Sequence, residues 1–389
     1  MKHVIISDAV RYIGADDKNI DLFESQYVVP KGVSYNSYVI LDDKIAVMDT
    51  VDARAGDVWL ENLDAELDGK KPDYLVVSHM EPDHSANIKK AAEKYPDMKI
   101  VGNAKTFSMI SQFFSQDFSQ RSVVVAEGDV LSLGNHSLQF FMAPMVHWPE
   151  VMVAYEQQEK ILFSADGFGK FGALDADEPW LDEARRYYIN IVGKYGAQVQ
   201  ALLKKAAGLD IRMICPLHGP ILKENLGYYL EKYQTWSSYE PEEDGTLIVC
   251  ASIHGHTAEA ARIFGDILRK KSSSPVRVAD LCREDTAELI SESFRYSRLV
   301  TACATYNGGL FPCMESFLSQ IKSKNFQKRT VGILENGSWA PMAGKLMRAY
   351  FEGMKNVTIA EPVVTVKSAV NDESLAQMEK LADQLLEKK

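Results

Sequence analysis

The pattern of the chain changes at one place, and that change limits its architecture more than any other feature. After Thr246, apolar strand-like runs alternate with amphipathic helical stretches up to the C-terminus. TLIVCASI, VRVADL, SRLVTACAT, RTVGILEN and VTIAEPVVTV read as five strands. Helices are expected from about Thr257 to Lys271, Pro312 to Lys324, Pro341 to Met354, and from Asp372 onward. Strands alternating with helices specify a doubly wound parallel α/β sheet. Before the polar seam SSYEPEEDGT, residues 237–246, strands precede any strong helix. YNSYVILDD and KIAVMDTVD read as a hairpin closed at Asp42-Asp43, followed by a helix from about Asp52 to Leu67 and the strand DYLVVSH. Short strands then fill 122–163, a helical stretch covers about Leu181 to Ala207, and RMICPLHGP supplies a last strand. That order predicts an α+β sandwich, so the boundary is placed between 1–245 and 246–389.

Composition narrows the function classes. Lys+Arg 43 against Asp+Glu 54 leaves −11, which argues against nucleic acid or an anionic membrane as partner. No apolar run is long enough to span a bilayer, and Asp8 and Arg11 interrupt any signal-peptide pattern, so a cytoplasmic protein is expected. The five cysteines, Cys215, Cys250, Cys282, Cys303 and Cys313, show no CxxC spacing. They read as buried free thiols, and the chain has no built-in rubredoxin-like or ferredoxin-like iron site.

The strand DYLVVSH runs into His79-Met80-Glu81-Pro82-Asp83-His84, four potential ligands within six residues beside a stiffening proline. Further candidates recur at strand ends: His147 in APMVHWPE, Asp166 in LFSADGFG and His218 in CPLHGP. Imidazole and carboxylate without thiolate suit zinc, iron or manganese. Seven candidates exceed one tetrahedral site, which favours two metals with a bridging carboxylate. Trp148 and Pro149 are candidates for the wall of that pocket.

The second constellation is Ser252-Ile253-His254-Gly255-His256-Thr257 between a strand and a helix, a turn suited to phosphate. It lacks the G-x-G-x-x-G of dinucleotide binders. Thr305-Tyr306-Asn307-Gly308-Gly309 follows the third strand, and Asn336-Gly337-Ser338-Trp339 follows the fourth. Trp339 is placed to cover a flat ring. Three loops at the carboxyl edge of one parallel sheet favour FMN over NAD or FAD.

His-x-Glu-x-Asp-His followed by distant His, Asp and His resembles the metallo-β-lactamase-like domain of flavodiiron proteins, the A-type flavoproteins. The loop at Ser252 resembles the S/T-x-x-G-x-T phosphate loop of flavodoxins, and the domain order is that of the same family. The resemblance implies an αββα metallo-β-lactamase-like sandwich followed by a flavodoxin-like sheet of order 2-1-3-4-5. It implies that His79, Glu81 and His147 bind one iron, Asp83 and His218 the other, and that Asp166 bridges them. His84 either joins this set or turns away and leaves an open position. Related hydrolases carry His where this chain has Glu81. With two ferrous ions, the carboxylates Glu81, Asp83 and Asp166 leave a residual charge of +1, which one bridging hydroxide neutralises.

The activity implied is reduction of dioxygen to water, of nitric oxide to nitrous oxide, or both, with FMN and two iron ions as cofactors. The expected electron donor is a separate carrier, a rubredoxin. The expected assembly is a head-to-tail homodimer or a dimer of dimers, FMN of one chain facing the diiron site of the other. A dizinc hydrolase with an appended flavodoxin and a non-catalytic flavin electron carrier are the competing readings, separable by metal analysis and a flavin spectrum.

Overall fold

The computed structural model describes residues 4–387. The chain divides into two compact units, 1–188 with 197–234, and 189–196 with 235–389. The helix Leu226–Ser237 runs into the seam from one side, and the strand Glu243–Ala251 begins inside it from the other.

The first unit holds two facing sheets. A seven-stranded sheet runs, in spatial order, Val4–Ile5, Val10–Tyr12, Tyr38–Ile40, Ala46–Met48, Tyr74–Val76, Lys99–Gly102 and Ser122–Val124. The second has five strands, Val130–Ser132, Ser137–Met142, Met152–Glu156, Ile161–Phe163 and Met213–Cys215. Alternation along each strand decides what meets between them. Tyr38, Ile40, Met48, Val76 and Val101 share one core with Leu138, Phe140, Met152, Ala154 and Phe163. The intervening Val39, Val47, Leu75 and Ile100 are buried as well, so the first sheet is covered on both faces, as its parallel strands require. This is the expected sandwich. The hairpin closed at Asp42-Asp43 is present, Tyr38 pairing with Met48 and Ile40 with Ala46. The helix expected from Asp52 begins at Gly56, after a 3-10 turn capped by the Asp52 side chain. The stretch 181–207 is two helices, Trp180–Tyr187 and Gly196–Ala206, separated by π and 3-10 turns.

The second unit is a parallel sheet in the order Val276–Asp280, Glu243–Ala251, Tyr296–Tyr306, Arg329–Asn336, Val357–Ile359. In chain numbering that order is 2-1-3-4-5, as expected. The fifth strand departs from the expectation. VTIAEPVVTV is broken: Val357–Ile359 pairs with the start of Arg329–Asn336, and Val364–Val366 pairs with its end. Pro362 between them has no N–H for the ladder, so the chain steps out and returns. A helix that the sequence pattern does not announce, Thr286–Arg295, fills the second crossover; the Asp285 side chain caps it by accepting from the Glu288 N–H at 2.8 Å. Of the cysteines, Cys215, Cys250 and Cys303 are buried as expected, whereas Cys282 and Cys313 are only half-buried. The reason is position: both lie in or beside loops past the sheet edge rather than in strands.

Candidate metal centre and flavin pocket

His79 leaves the strand Tyr74–Val76 on a backbone fixed by Asp49, whose buried carboxylate accepts from the N–H groups of Ser78 at 2.7 Å and His79 at 3.3 Å. Pro82 opens a one-turn helix, Pro82–Ser85, which turns Asp83 and His84 to the same side. His147, Asp166 and His218 arrive from loops after Ser137–Met142, Ile161–Phe163 and Met213–Cys215.

All seven predicted side chains meet. Ligating atoms of His79, Glu81, His147 and Asp166 form one group, and those of Asp83, His84 and His218 a second. Asp166 faces both. Its Oδ2 lies 3.3 Å from His79 Nε2 and 3.2 Å from His147 Nε2, while its Oδ1 lies 3.5 Å from His84 Nε2 and 3.8 Å from His218 Nε2. Glu81 lies 3.2 Å from His79 Nε2 and 3.1 Å from His147 Nε2; Asp83 lies 3.3 and 3.2 Å from the Nε2 atoms of His84 and His218. Ligand bonds of 2.0–2.2 Å place donor atoms about 3–3.5 Å apart, the spacing of every pair above except Asp166 and His218 at 3.8 Å. His84 turns inward, its Nε2 3.0 Å from that of His218.

The donor set fits cations. Both oxygens of Asp83 and of Asp166 are buried with no hydrogen-bond partner. Unpaired buried carboxylates are costly unless positive charge compensates them. The protonation pattern points the same way. Burial opposes a charge on His79, His84 and His147, yet Asp166, Glu150 and Glu81 hold His79 well above its ordinary value. Asp166 and Glu81 likewise bring His147 to about 9, and Asp83 and Asp166 raise His84. Burial also opposes ionisation of Asp166, but His79, His147 and His84 hold its carboxyl well below the usual range. Protons on these three imidazoles thus occupy the electrostatic place of metal ions.

Residues outside the predicted set orient it. His79 Nδ1 contacts Glu150 Oε1 at 2.8 Å, and the same oxygen accepts from the Met80 N–H at 2.8 Å. His218 Nδ1 contacts the Ser34 carbonyl at 2.7 Å. Each imidazole therefore presents Nε2 to the centre. Glu24, between the short strands Leu22–Phe23 and Tyr27–Val28, faces Glu81; burial and then the Glu81 charge push its carboxyl up to about 7. An acid in a hairpin turn carries no sequence signal for such a place. Trp148 packs its ring edge-on to His79 at 5.2 Å, while Pro149 is exposed and does not wall the site.

The second unit carries a cavity of 530 Å³ at the carboxyl edge of its sheet, within the range of small-molecule sites. From the first loop it is lined by Ser252, His254, His256 and Thr257, from the second by Thr305, Asn307 and Gly308, and from the third by Asn336, Gly337, Ser338 and Trp339. Gly255, Tyr306 and Gly309 stay out of its wall. Gly255 turns the chain at φ 98°, its N–H donating to Ser252 Oγ at 3.0 Å, and so opens the helix His256–Lys271. Tyr306 pairs with Gly309 across a hairpin and packs on Phe311. The Thr305 hydroxyl is already engaged, accepting from the N–H groups of Met342 and Ala343. Ser368, which stands in no recognisable motif, also lines the cavity; its backbone exchanges two hydrogen bonds of 3.0 Å with the Asn336 amide. Trp339 stands 83% exposed at the rim.

A dinuclear His/carboxylate centre on an αββα sandwich, followed by a flavodoxin-like sheet, defines a class of two-domain redox proteins. Residues 33–219 match the family model described as ODP family beta lactamase. The chain is 29% identical to the nitric oxide reductase of Moorella thermoacetica, over 96% of this chain and 95% of that one. The solved structure of rubredoxin oxygen:oxidoreductase from the anaerobe Desulfovibrio gigas superposes with a TM-score of 0.93 at 27% identity, covering 99% and 98% of the two chains. The flavodiiron protein of Giardia intestinalis shares the fold, with a TM-score of 0.89 at 22% identity over 99% and 96%. Along nearly its whole length the chain is therefore similar to the flavodiiron proteins that its sequence resembles.

Proposed function

We propose that this protein reduces a diatomic gas, dioxygen to water or nitric oxide to nitrous oxide, at a diiron centre supplied through FMN. The observation that carries this reading is the Asp166 carboxylate, each oxygen turned to a different group of ligating side chains. Relatives named for nitric oxide reduction and for rubredoxin-dependent oxygen reduction support it. His79, Glu81 and His147 would hold one iron and Asp83, His84 and His218 the other, with Asp166 shared between them. The cavity lined by Ser252, Asn307 and Ser338 would hold FMN, and the N-terminus of His256–Lys271 is suited to its phosphate. When bound, flavin and iron would supply one- and two-electron transfer for reduction of the gas.

The chain's own residues set the conditions for that chemistry. Glu150 and the Ser34 carbonyl fix the imidazole tautomers. Glu81, Asp83 and Asp166 bring the charge of the loaded pocket close to neutral, which makes the centre easier to bury. Tyr187 and Phe23 pack against His218, each with ring centroids 5.4 Å away, and keep bulk water from that side. Among the described residues no helix is long and apolar enough to cross a membrane. We place the protein in the cytoplasm, with rubredoxin as electron donor and a head-to-tail homodimer as the working unit.

The test is composition and turnover on one anaerobic preparation. About two irons and one FMN per chain are expected, with oxygen or nitric oxide consumed when reduced rubredoxin is supplied. Full zinc occupancy after iron-replete expression, with no gas consumed, overturns the reading.

A further inference from the structure

Two cysteines of the second unit form a pair that the gas chemistry does not use. Cys282 lies two residues past the strand Val276–Asp280, and Cys313 is the second residue of the helix Pro312–Ser323. Their Sγ atoms stand 3.2 Å apart, both residues are half-buried, and both thiols are free. The remaining cysteines are sealed: Cys215, Cys250 and Cys303 are each at most 2% exposed. A disulfide needs the sulfurs to approach to about 2 Å, a shift within reach of side-chain rotation.

Position gives such a bond a consequence. Cys313 follows by three residues the hairpin Tyr306–Leu310, whose Asn307 and Gly308 line the flavin cavity. Cys282 belongs to the loop after the second strand, and the first strand lies between the second and third in the sheet. A bond between them ties the hairpin's exit across the end of the first strand, where Ser252–Thr257 begins the cavity wall.

We propose that Cys282 and Cys313 are a reversible modification site, closed to a disulfide by an oxidised low-molecular-weight thiol, and that closure clamps the flavin-side hairpin. The Cys282 thiolate attacks the small disulfide, forming a mixed disulfide and releasing one small thiol. Cys313, whose own thiol burial and the Cys282 contact push up to about 12, then attacks the Cys282 sulfur and releases the second. Two electrons pass from the protein to the small disulfide, and both thiol protons leave on the released thiols.

The experiment equilibrates the whole protein with reduced and oxidised glutathione, denatures it in alkylating reagent and counts thiols by mass. Alkylated thiols should fall from five to three, with one bridged peptide joining Cys282 to Cys313. Cys313→Ser should trap a glutathione adduct on Cys282, and Cys282→Ser should keep all four of its thiols. Five thiols at every ratio, a bridge between other cysteines, or a lasting glutathione adduct on the parent protein overturns the site. FMN release should be severalfold slower from the oxidised parent than from the reduced one, with no difference in Cys282→Ser; equal rates overturn the clamp. The clamp rests on FMN occupying the cavity, whereas the thiol count does not, so the two failures are distinguishable.

Discussion

Glu150 shows how one side chain outside the ligand set can decide the set's behaviour. It is 1% exposed, and one of its oxygens holds both His79 Nδ1 and the Met80 N–H. Glu150→Ala should weaken metal binding about 10–100-fold while FMN content stays at the parent level, measured by competition with a chelator. Unchanged affinity would remove Glu150 from the site. The seven converging side chains are legible in the sequence because His and acids at strand ends are unusual in number and kind. Glu150, Asp49 and Glu24 are not, because an acid set beside an imidazole, a loop N–H or another acid looks like any other acid until the fold places it. Protonation offers a second check at this scale. In the metal-free protein the acids keep His147 charged up to about 9, so below that pH a metal ion must displace its proton. Metal affinity should therefore rise with pH toward that value, and loading at neutral pH should release protons. Calorimetry in buffers of different ionisation enthalpy reads the release directly; none would mean the imidazoles are neutral beforehand.

At the scale of elements, the turn at Asp42 is a case where composition and position both speak. Asp42 accepts from the His136 N–H at 2.6 Å, His136 Nδ1 at 2.9 Å, the Asp43 N–H at 2.8 Å and the Asn135 amide at 3.2 Å, tying the hairpin to the opposite sheet. Burial works against its charge, but the His136 and Asp43 donors prevail and lower its carboxyl to about 2. A folded value below the unfolded one means the contribution is complete above the ordinary Asp range of about 4. It is lost as pH falls through about 2. Asp42→Asn should thus cost about 1 kcal/mol at neutral pH, allowing for solvent screening, and almost nothing at the acid end. Urea unfolding across that range checks it; a cost independent of pH would assign the effect to shape rather than charge. Other elements stay hidden for physical reasons. The helix Ala104–Phe114 buries only Thr106 and Ile110, so no apolar stripe marks it, although the Asn103 side chain caps it by accepting from the N–H groups of Lys105 and Thr106. The broken fifth strand reads as one run because its apolar character continues through the proline that splits it.

At the scale of the molecule, each site is complete within its own unit, and electrons must still pass from one to the other. The proposed head-to-tail dimer supplies that passage between subunits, and a two-fold axis then creates two equivalent cross-subunit pairs. The arrangement has a test by complementation. One chain carries Asp166→Ala, which removes the carboxylate facing both groups of ligating side chains and leaves the second unit untouched. Its partner carries Gly255→Ala with Thr257→Val, altering a glycine at φ 98° and a threonine of the cavity wall while the metal ligands remain. Neither homodimer should reduce gas: the first retains FMN without a working metal pair, the second retains iron without flavin. In the isolated heterodimer one cross-subunit pair is doubly broken. The other joins intact FMN of the first chain to intact iron of the second, so about half the parental turnover should return. Transfer within a chain gives the opposite result, since every chain then holds one broken site, and no turnover returns. Metal and flavin content measured on both homodimers establishes that each variant is folded and defective only where intended, so an inactive heterodimer would count against the dimer and not against the sites.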